Sequence, residues 1–362
     1  MKKVFFALAA IAALAACNKA EVVDRAPQTP IAFTNSFVDN NTKIAVDPSY
    51  NNKTNLIEKF RVYGAVTGAA GPVCIYKGDL VSRPADMTPT DETNLYNPAT
   101  AWTCDNIQYW VPDCAYLFEA IVDGDVDGNT IDVAGDWMMP ETITYDARSQ
   151  KDLLFARFET TTDSAAQPAF CVNGIAPVPF TFSHLLSKVK FIARNMIEAQ
   201  TGRTYQYKVY DIQINNAARK ASFQLNGKSQ VWLTPTEYYS GNGDDVLSFG
   251  AVKEGDLTLI PSGEWRFESE YERFMIPAKY DASHKLSISF TAALVISTET
   301  VNITKYTKDI EITLERGHAY NFIIELGNPG ETINFSVEKV SGWVTEPDVP
   351  ATPATPVEKQ NN

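Results

Sequence analysis

The spacing of the apolar residues constrains this chain more than any other feature. Leu286, Ile288, Phe290, Ala292, Leu294 and Ile296 alternate with mostly polar or small neighbours. Ile310, Ile312 and Leu314 do the same, as do Tyr320, Phe322, Ile324 and Leu326, and then Ile333, Phe335 and Val337. Successive strand side chains point to opposite faces, so each run offers one apolar face to a core. Gly317-His318 and Gly327-Asn328-Pro329-Gly330 interrupt the runs at turn-like places. Strands this closely spaced, with short connections, predict an antiparallel β-sandwich.

The first half carries the same period less cleanly. Phe60, Val62 and Val66 predict a strand with Gly64 as a bulge. Ile107 to Val122 holds Tyr109, Trp110, Tyr116 and Phe118, aromatic β-formers on either side of Pro112. A long polar loop runs from Ser82 to Thr100. Helical periodicity is scarce: Ser183 to Lys188 admits a short helix, but Val189, Phe191 and Ala193 fit a strand better. The expected domain junction lies near Pro168 to Pro179, where Pro177 and Pro179 bracket Val178 and cannot donate to a ladder. From Glu346 the chain has Pro347, Pro350, Pro353 and Pro356 with almost nothing to bury, which predicts an extended tail.

The N-terminus has the layout of an export signal. Lys2 and Lys3 precede the apolar stretch Val4 to Ile11, and small residues lead to Cys17. The apolar stretch is too short to span a bilayer. Leu14-Ala15-Ala16-Cys17 resembles the lipobox of bacterial lipoproteins. That resemblance implies cleavage after Ala16 and acylation of Cys17, whose two or three acyl chains would hold the protein firmly to a membrane. The remainder of the 362 residues is enough for two domains. The formal net charge is −13, and it becomes more negative once Lys2 and Lys3 are removed. So acidic a chain argues against nucleic acid and anionic lipid surfaces as partners.

Side chains that could carry chemistry are few and scattered. Besides Cys17 there are Cys74, Cys104, Cys114 and Cys171. Four cysteines allow three pairings, Cys104 and Cys114 being near enough to close a short loop, and free buried thiols are the other reading. No CxxC spacing suggests zinc. His184, His284 and His318 lie outside any HExxH pattern, and Ser183 and His184, as strand neighbours, face opposite ways. Structural roles are expected for all three histidines. Asp123, Asp125 and Asp127 with Gly128 match the opening of a calcium loop, but the twelfth position is Ala134. A solvated turn and a weak calcium site are the two readings there. Gly64, Gly68 and Gly71 lack the Gly-Lys-Ser/Thr ending of a phosphate loop. No cofactor, resident metal or catalytic constellation is expected.

Phe182, His184, Leu186, Lys188 and Phe191 follow an F-x-H-x-L-x-K-x-x-F pattern, which resembles a signature of the fimbrillin-like lipoprotein family of Bacteroidales. Asp152-Leu-Leu154-Phe-Ala156 resembles its D-L-L-x-A strand, and Tyr109-Trp110 with Tyr116-Leu-Phe118-Glu-Ala120 its W…Y-x-F-x-A hairpin. Glu315-Arg-Gly317-His-Ala-Tyr320 resembles its strand entry, and Ile333-Asn-Phe335-Ser-Val337 with Trp343 its closing segment. The pieces occur in family order from about residue 30 to Trp343.

The resemblance implies two transthyretin-like β-sandwiches in tandem, at 29–170 and 171–345. They would follow a signal peptide at 1–16 and a lipid-anchored linker at 17–28, and precede a Pro-rich tail at 346–362. It also implies a surface pilus of type V, anchored at the outer membrane, in which this chain is a stalk, tip or anchor subunit. In such pili a trypsin-like protease removes an N-terminal strand and a strand from a neighbouring pilin subunit takes its place. Mapped here, the removed strand holds Thr29-Pro30-Ile31-Ala32-Phe33, and Lys43 is the candidate cleavage point, with Arg25 as a second. Asp163-Ser164-Ala165 matches a short O-glycosylation sequon of the phylum. The rival expectation is a non-polymerising surface lipoprotein. It would bind glycan or host protein through loop aromatics such as Tyr96, Trp102 and Trp137.

Overall fold

The structure is a computed structural model. It describes residues 30–33, 37–39, 59–82, 102–111, 114–122, 130–134, 139–160, 178, 180–198, 201–225, 230–243, 245–263, 266–328 and 333–340. The fold is all-β, built from mostly antiparallel sheets packed into a sandwich. Among the described residues the helical element is a single 3-10 turn at Ala147–Ser149.

Among the described residues, nine strands lie between Phe37 and His184. They are β1 (Phe37–Asp39), β2 (Lys59–Gly68), β3 (Gly71–Ser82), β4 (Thr103–Cys104), β5 (Ala115–Ile121), β6 (Thr130–Ala134), β7 (Met139–Asp146), β8 (Leu154–Glu159) and β9 (Thr181–His184). Seven of them form one sheet in the order β1-β9-β8-β5-β2-β3-β4. Strands β2 and β3 form a hairpin whose turn uses Gly71 at a φ of 100°, a conformation open to glycine. The ladder of this hairpin shifts register between Gly64 and Ala65, but the inserted residue is Ile75 on β3, so the bulge lies on the strand opposite Gly64 and not at the glycine itself. A Cβ on Gly64 would stand 2.8 Å from Tyr76 Cδ2 and 2.9 Å from Phe118 Cδ1, so the bare backbone is what lets these two rings close over it.

The central strands of this sheet are buried on both faces. On β5, Tyr116, Phe118 and Ala120 face a first core with Phe60, Val62 and Tyr76. Ile121 and the half-buried Leu117 belong to a second core, together with Tyr63 and Ala65 of β2 and Phe155 of β8. The second core continues through β10 (Ser187–Asn195), β11 (Tyr205–Ile214) and β12 (Ala218–Gln224). Strand β10 pairs in parallel with Ala319–Leu326, which pairs antiparallel with Asn334–Val340. Strand β11 pairs with Leu286–Ile296, which pairs with Glu299–Ile310.

Chain order and sheet membership part company around residues 170 and 171. Strand β9 follows that point but completes the first sheet, pairing Leu154 with His184 and Phe155 with Ser183. Strand β7 precedes it but pairs with β12, from Thr142 opposite Gln224 to Asp146 opposite Lys220. The two cores are therefore laced together by strands exchanged between the halves.

The C-terminal alternation appears as strands at Leu286–Ile296, Ala319–Leu326 and Asn334–Val340, with Gly317 in the turn before the second at a φ of 71°. A twelve-residue strand, Glu299–Ile310, lies between them where the sequence predicts only a strand opening at Ile310. Its side chains are nearly all exposed, and half-burial at Thr304, Tyr306 and Ile310 leaves no apolar alternation to read. Ser183–Lys188 forms the end of β9 and the start of β10.

Candidate functional site at the seat of the N-terminal strand

The segment Pro30–Phe33 lies between two walls. On one side Pro30 bridges Tyr109 and Phe33 bridges Trp102, both antiparallel. The Ile31 N–H donates to the Gln108 carbonyl at 2.8 Å, and the Trp102 N–H donates to the Phe33 carbonyl at 3.1 Å. On the other side Phe33 bridges Val178 in parallel, and the Val178 N–H donates to the Ala32 carbonyl at 2.8 Å. Further along, β1 runs parallel to β9, pairing Phe37 with Thr181 and Asp39 with Ser183. Trp102 adjoins β4 at one edge of the seven-stranded sheet, and β9 lies at the other end next to β1. The N-terminal segment therefore closes the ladder upon itself.

Local sequence explains why these residues fit. Pro30 opens the segment, where its missing N–H costs no ladder bond. Ile31 and Phe33 then alternate with Ala32, so both point into the first core, where they are buried. Phe33 is at the centre of that core. Its ring stacks on Phe180 at 5.8 Å and meets Tyr76 edge-on at 5.5 Å, with Phe60 and Phe118 each 6.2 Å away. A fully buried aromatic in such a cluster contributes about 3–5 kcal/mol by truncation.

The walls are held by bonds that do not involve the segment. The Asn106 side-chain amide donates to the Ile75 carbonyl at 3.0 Å, tying the Trp102 wall to β3. The Val111 N–H donates to the Tyr116 hydroxyl at 2.6 Å, and Trp110 packs edge-on against the Tyr116 ring at 4.7 Å. The opposite wall continues into β9, held by β8.

The Tyr76 hydroxyl and the Trp102 Nε1–H are buried in this core without an acceptor among the described residues. Burial pushes the Tyr76 phenol well above its ordinary value, and the neighbouring Cys104 adds to the effect. The backbone amide of Gln108 offsets part of this.

Most of the sequence-predicted site residues fall outside the described residues: Cys17, Arg25, Lys43, Cys171, Asp123, Asp125, Asp127, Asp163, Tyr96 and Trp137. Trp102, expected to be an exposed loop aromatic, is buried, because its cross-strand position opposite Phe33 turns it inward. Cys74, Cys104 and Cys114 are half-buried, and the short loop between Cys104 and Cys114 is not closed by a disulfide. Burial raises the thiol pKa of Cys74 and of Cys104.

The histidines hold structure together. His184 is buried, and its Nδ1 lies 2.6 Å from Asp152 Oδ2, while its neighbour Ser183 faces solvent. The Gly317 N–H donates to the Leu186 carbonyl at 2.8 Å, and the Ser187 hydroxyl donates to the Glu315 carbonyl at 2.9 Å. His284 lies over the ring of Tyr238 at 4.2 Å, and His318 contacts the Arg316 carbonyl. Among the described residues no group of three or more His, Cys, Asp or Glu is placed to hold a metal ion.

One ionisable residue escapes sequence reasoning. Glu119 alternates with Phe118 and Ala120, so it faces away from the first core and is buried against the second. Burial pushes its carboxyl up to about 7, against the opposing pull of Arg157, whose guanidinium lies 3.1 Å away.

Comparison with known proteins bears on this arrangement. Residues 34–343 match the family described as fimbrillin-like. The fold is similar to a crystal structure of a fimbrial protein from Bacteroides vulgatus, with a TM-score of 0.56 and 14% identity over 87% of this chain and 100% of that one. A protein provisionally named for cell adhesion from Bacteroides ovatus aligns at 16% identity and a TM-score of 0.49, over 89% of this chain and 100% of that one. No curated protein matches the sequence.

Proposed function

Because the chain belongs to the fimbrillin-like family, a structural family of fimbrial adhesion proteins, we propose that it is a lipid-anchored subunit of a type V surface pilus that assembles by strand exchange. In this reading Cys17 carries the anchor to the outer membrane, and cleavage at Lys43 frees the segment that includes Pro30–Phe33 and β1. A strand from a neighbouring subunit then enters the same seat. The work is done by backbone pairing and apolar contacts, with no chemical step.

The observation that carries the proposal is the position of Pro30–Phe33. It is a terminal segment, it closes the ladder, and it supplies the central ring of the first core. Its walls are fastened by Asn106, Tyr116 and the β8–β9 pairing, so they have support of their own when it leaves. A vacated seat would expose unpaired backbone groups and a ring of aromatics, which is the condition that favours strand addition.

Limited trypsin digestion of the chain lacking residues 1–16, followed by N-terminal sequencing and a non-boiled denaturing gel, tests this. The expected result is a cut after Lys43, loss of the N-terminal piece and a ladder of multimers. A cut chain that remains a monomer, or one that retains its N-terminal piece through gel filtration, would overturn the proposal.

A further inference from the structure

The wall that holds Pro30–Phe33 has an outer face as well as an inner one. Along residues 107–111 the side chains alternate. Trp110 is buried in the first core and Gln108 is half-buried, while Ile107, Tyr109 and Val111 are exposed by 62%, 43% and 42%. The seated segment alternates in the same way, with Ile31 and Phe33 buried, Ala32 half-buried and Pro30 exposed. Residues opposite each other in a ladder project to the same face, so the bridge from Pro30 to Tyr109 sets Pro30 beside the exposed row. Apolar residues exposed singly are common, but a run of them at every second position makes a patch, and such patches mark contact surfaces.

Two observations identify what covers it. The first is charge. Residues 106–111 carry none, on a chain whose formal net charge is −13. Two copies of so acidic a chain repel each other, and they approach at lower cost where the surface is uncharged and apolar. The second is position. The row flanks the seat, since Gln108 and Tyr109 pair with its occupant, and it continues past Pro30 to Val111. An entering strand is joined at an end to its own subunit, so the body of that subunit arrives beside the row.

We propose that Ile107, Tyr109 and Val111 are the surface on which the body of a second copy of this chain docks, the copy whose strand enters the seat. The inference rests on the strand-exchange reading above and adds to it a second contact, outside the ladder. Backbone pairing in the seat holds the strand, and the row positions the subunit that supplies it.

The chain lacking residues 1–16, cut with trypsin as above, tests this with Ile107→Asp and Val111→Asp introduced together. A second variant carries Ile107→Ser with Val111→Ser. Both positions are exposed, so the fold tolerates either pair. Multimer growth is expected to slow by about tenfold with the aspartates and by less with the serines. Uptake of a fluorescent peptide spanning residues 28–40 should match that of the native chain, because the peptide fills the seat with no subunit attached. Growth at the native rate in both variants would overturn this inference and leave strand exchange standing, and loss of glycan retention in the same variants would then give the row a sugar ligand. Peptide uptake lowered as far as growth would overturn it too, since the row would then support the seat and not a second subunit. A native chain that forms no multimers would overturn strand exchange, and this inference with it.

Discussion

The ring of Phe33 lies against that of Phe180 with centroids 5.8 Å apart and planes 8° from parallel. The two residues belong to segments joined by parallel pairing, and each ring also contacts Phe60. The first core thus depends on a residue near the start of the described chain and on one that follows the last strand but one of its sheet.

Truncation of that contact should be costly. Phe33→Ala is expected to lower stability by about 3–5 kcal/mol, the usual cost of emptying a packed aromatic site. Chemical denaturation followed by tryptophan fluorescence would measure it, since Trp102 and Trp110 sit in the same core. A loss below about 1 kcal/mol would mean that the seat is not closed in solution.

Gly64 should resist the smallest possible enlargement. The added methyl group of Gly64→Ala would meet Tyr76 and Phe118 at under 3 Å. Both rings are fully buried, so they have little room to retreat. Overpacking of this kind costs about 1–3 kcal/mol, and the same denaturation assay checks it.

Glu119 predicts an unusual pH dependence. Its carboxyl titrates near 7 in the folded chain, from an ordinary value of 4.5, mainly because it is buried. The folded state therefore binds the proton more tightly than the unfolded state does. Its contribution is fully present below about pH 4.5 and is lost as pH rises through 7, to a limit of about 3 kcal/mol. Carboxylates held below their ordinary range, such as Asp281 by the Ser283 hydroxyl and Glu315 by Lys339, act in the opposite sense and at lower pH. Stability of the native chain should thus fall between pH 5 and 7, and Glu119→Gln should flatten that slope. An unchanged slope in the variant would refute the assignment to Glu119.

The bond between Asp152 and His184 joins the start of β8 to the end of β9 at the passage between the two cores. Asp152→Asn removes the charge but keeps the shape. It is expected to cost about 2 kcal/mol, as hydrogen bonds to charged groups do. Hydrogen exchange would show the loss at the Leu185 amide, which bonds the Leu153 carbonyl beside it.

Much of this architecture could be read from residue spacing. The strands at Leu286–Ile296 and Ala319–Leu326 are buried almost throughout, yet their large apolar residues mostly alternate with small or polar ones, and that leaves a readable period. The segments similar to family motifs are legible for a related reason: Asp152, His184, Leu186 and Gly317 meet at one joint, where few substitutes fit. Other parts depend on partners distant in sequence. Glu299–Ile310 is an edge strand with little to bury, so its pairing leaves no hydrophobic signature. Glu119 reads as an outward residue until the second core covers it. Trp102 reads as a loop aromatic until Phe33 is placed opposite. The crossing of β7 to β12 has no local signal, because either neighbour would accept the same alternation.

The closed ladder has a consequence for the order of folding. Pro30–Phe33 leaves the ribosome early, but its partners at Trp102 and Gln108 come later, and Val178 and Phe180 come later still. Loops this long are slow to close, and the contacts that reward closure arrive last. Until Phe180 is available, Phe33 has nothing to stack on and the barrel-like ring has a gap. The first core is therefore begun first and finished late, so the nascent chain stays open and threadable through most of its synthesis.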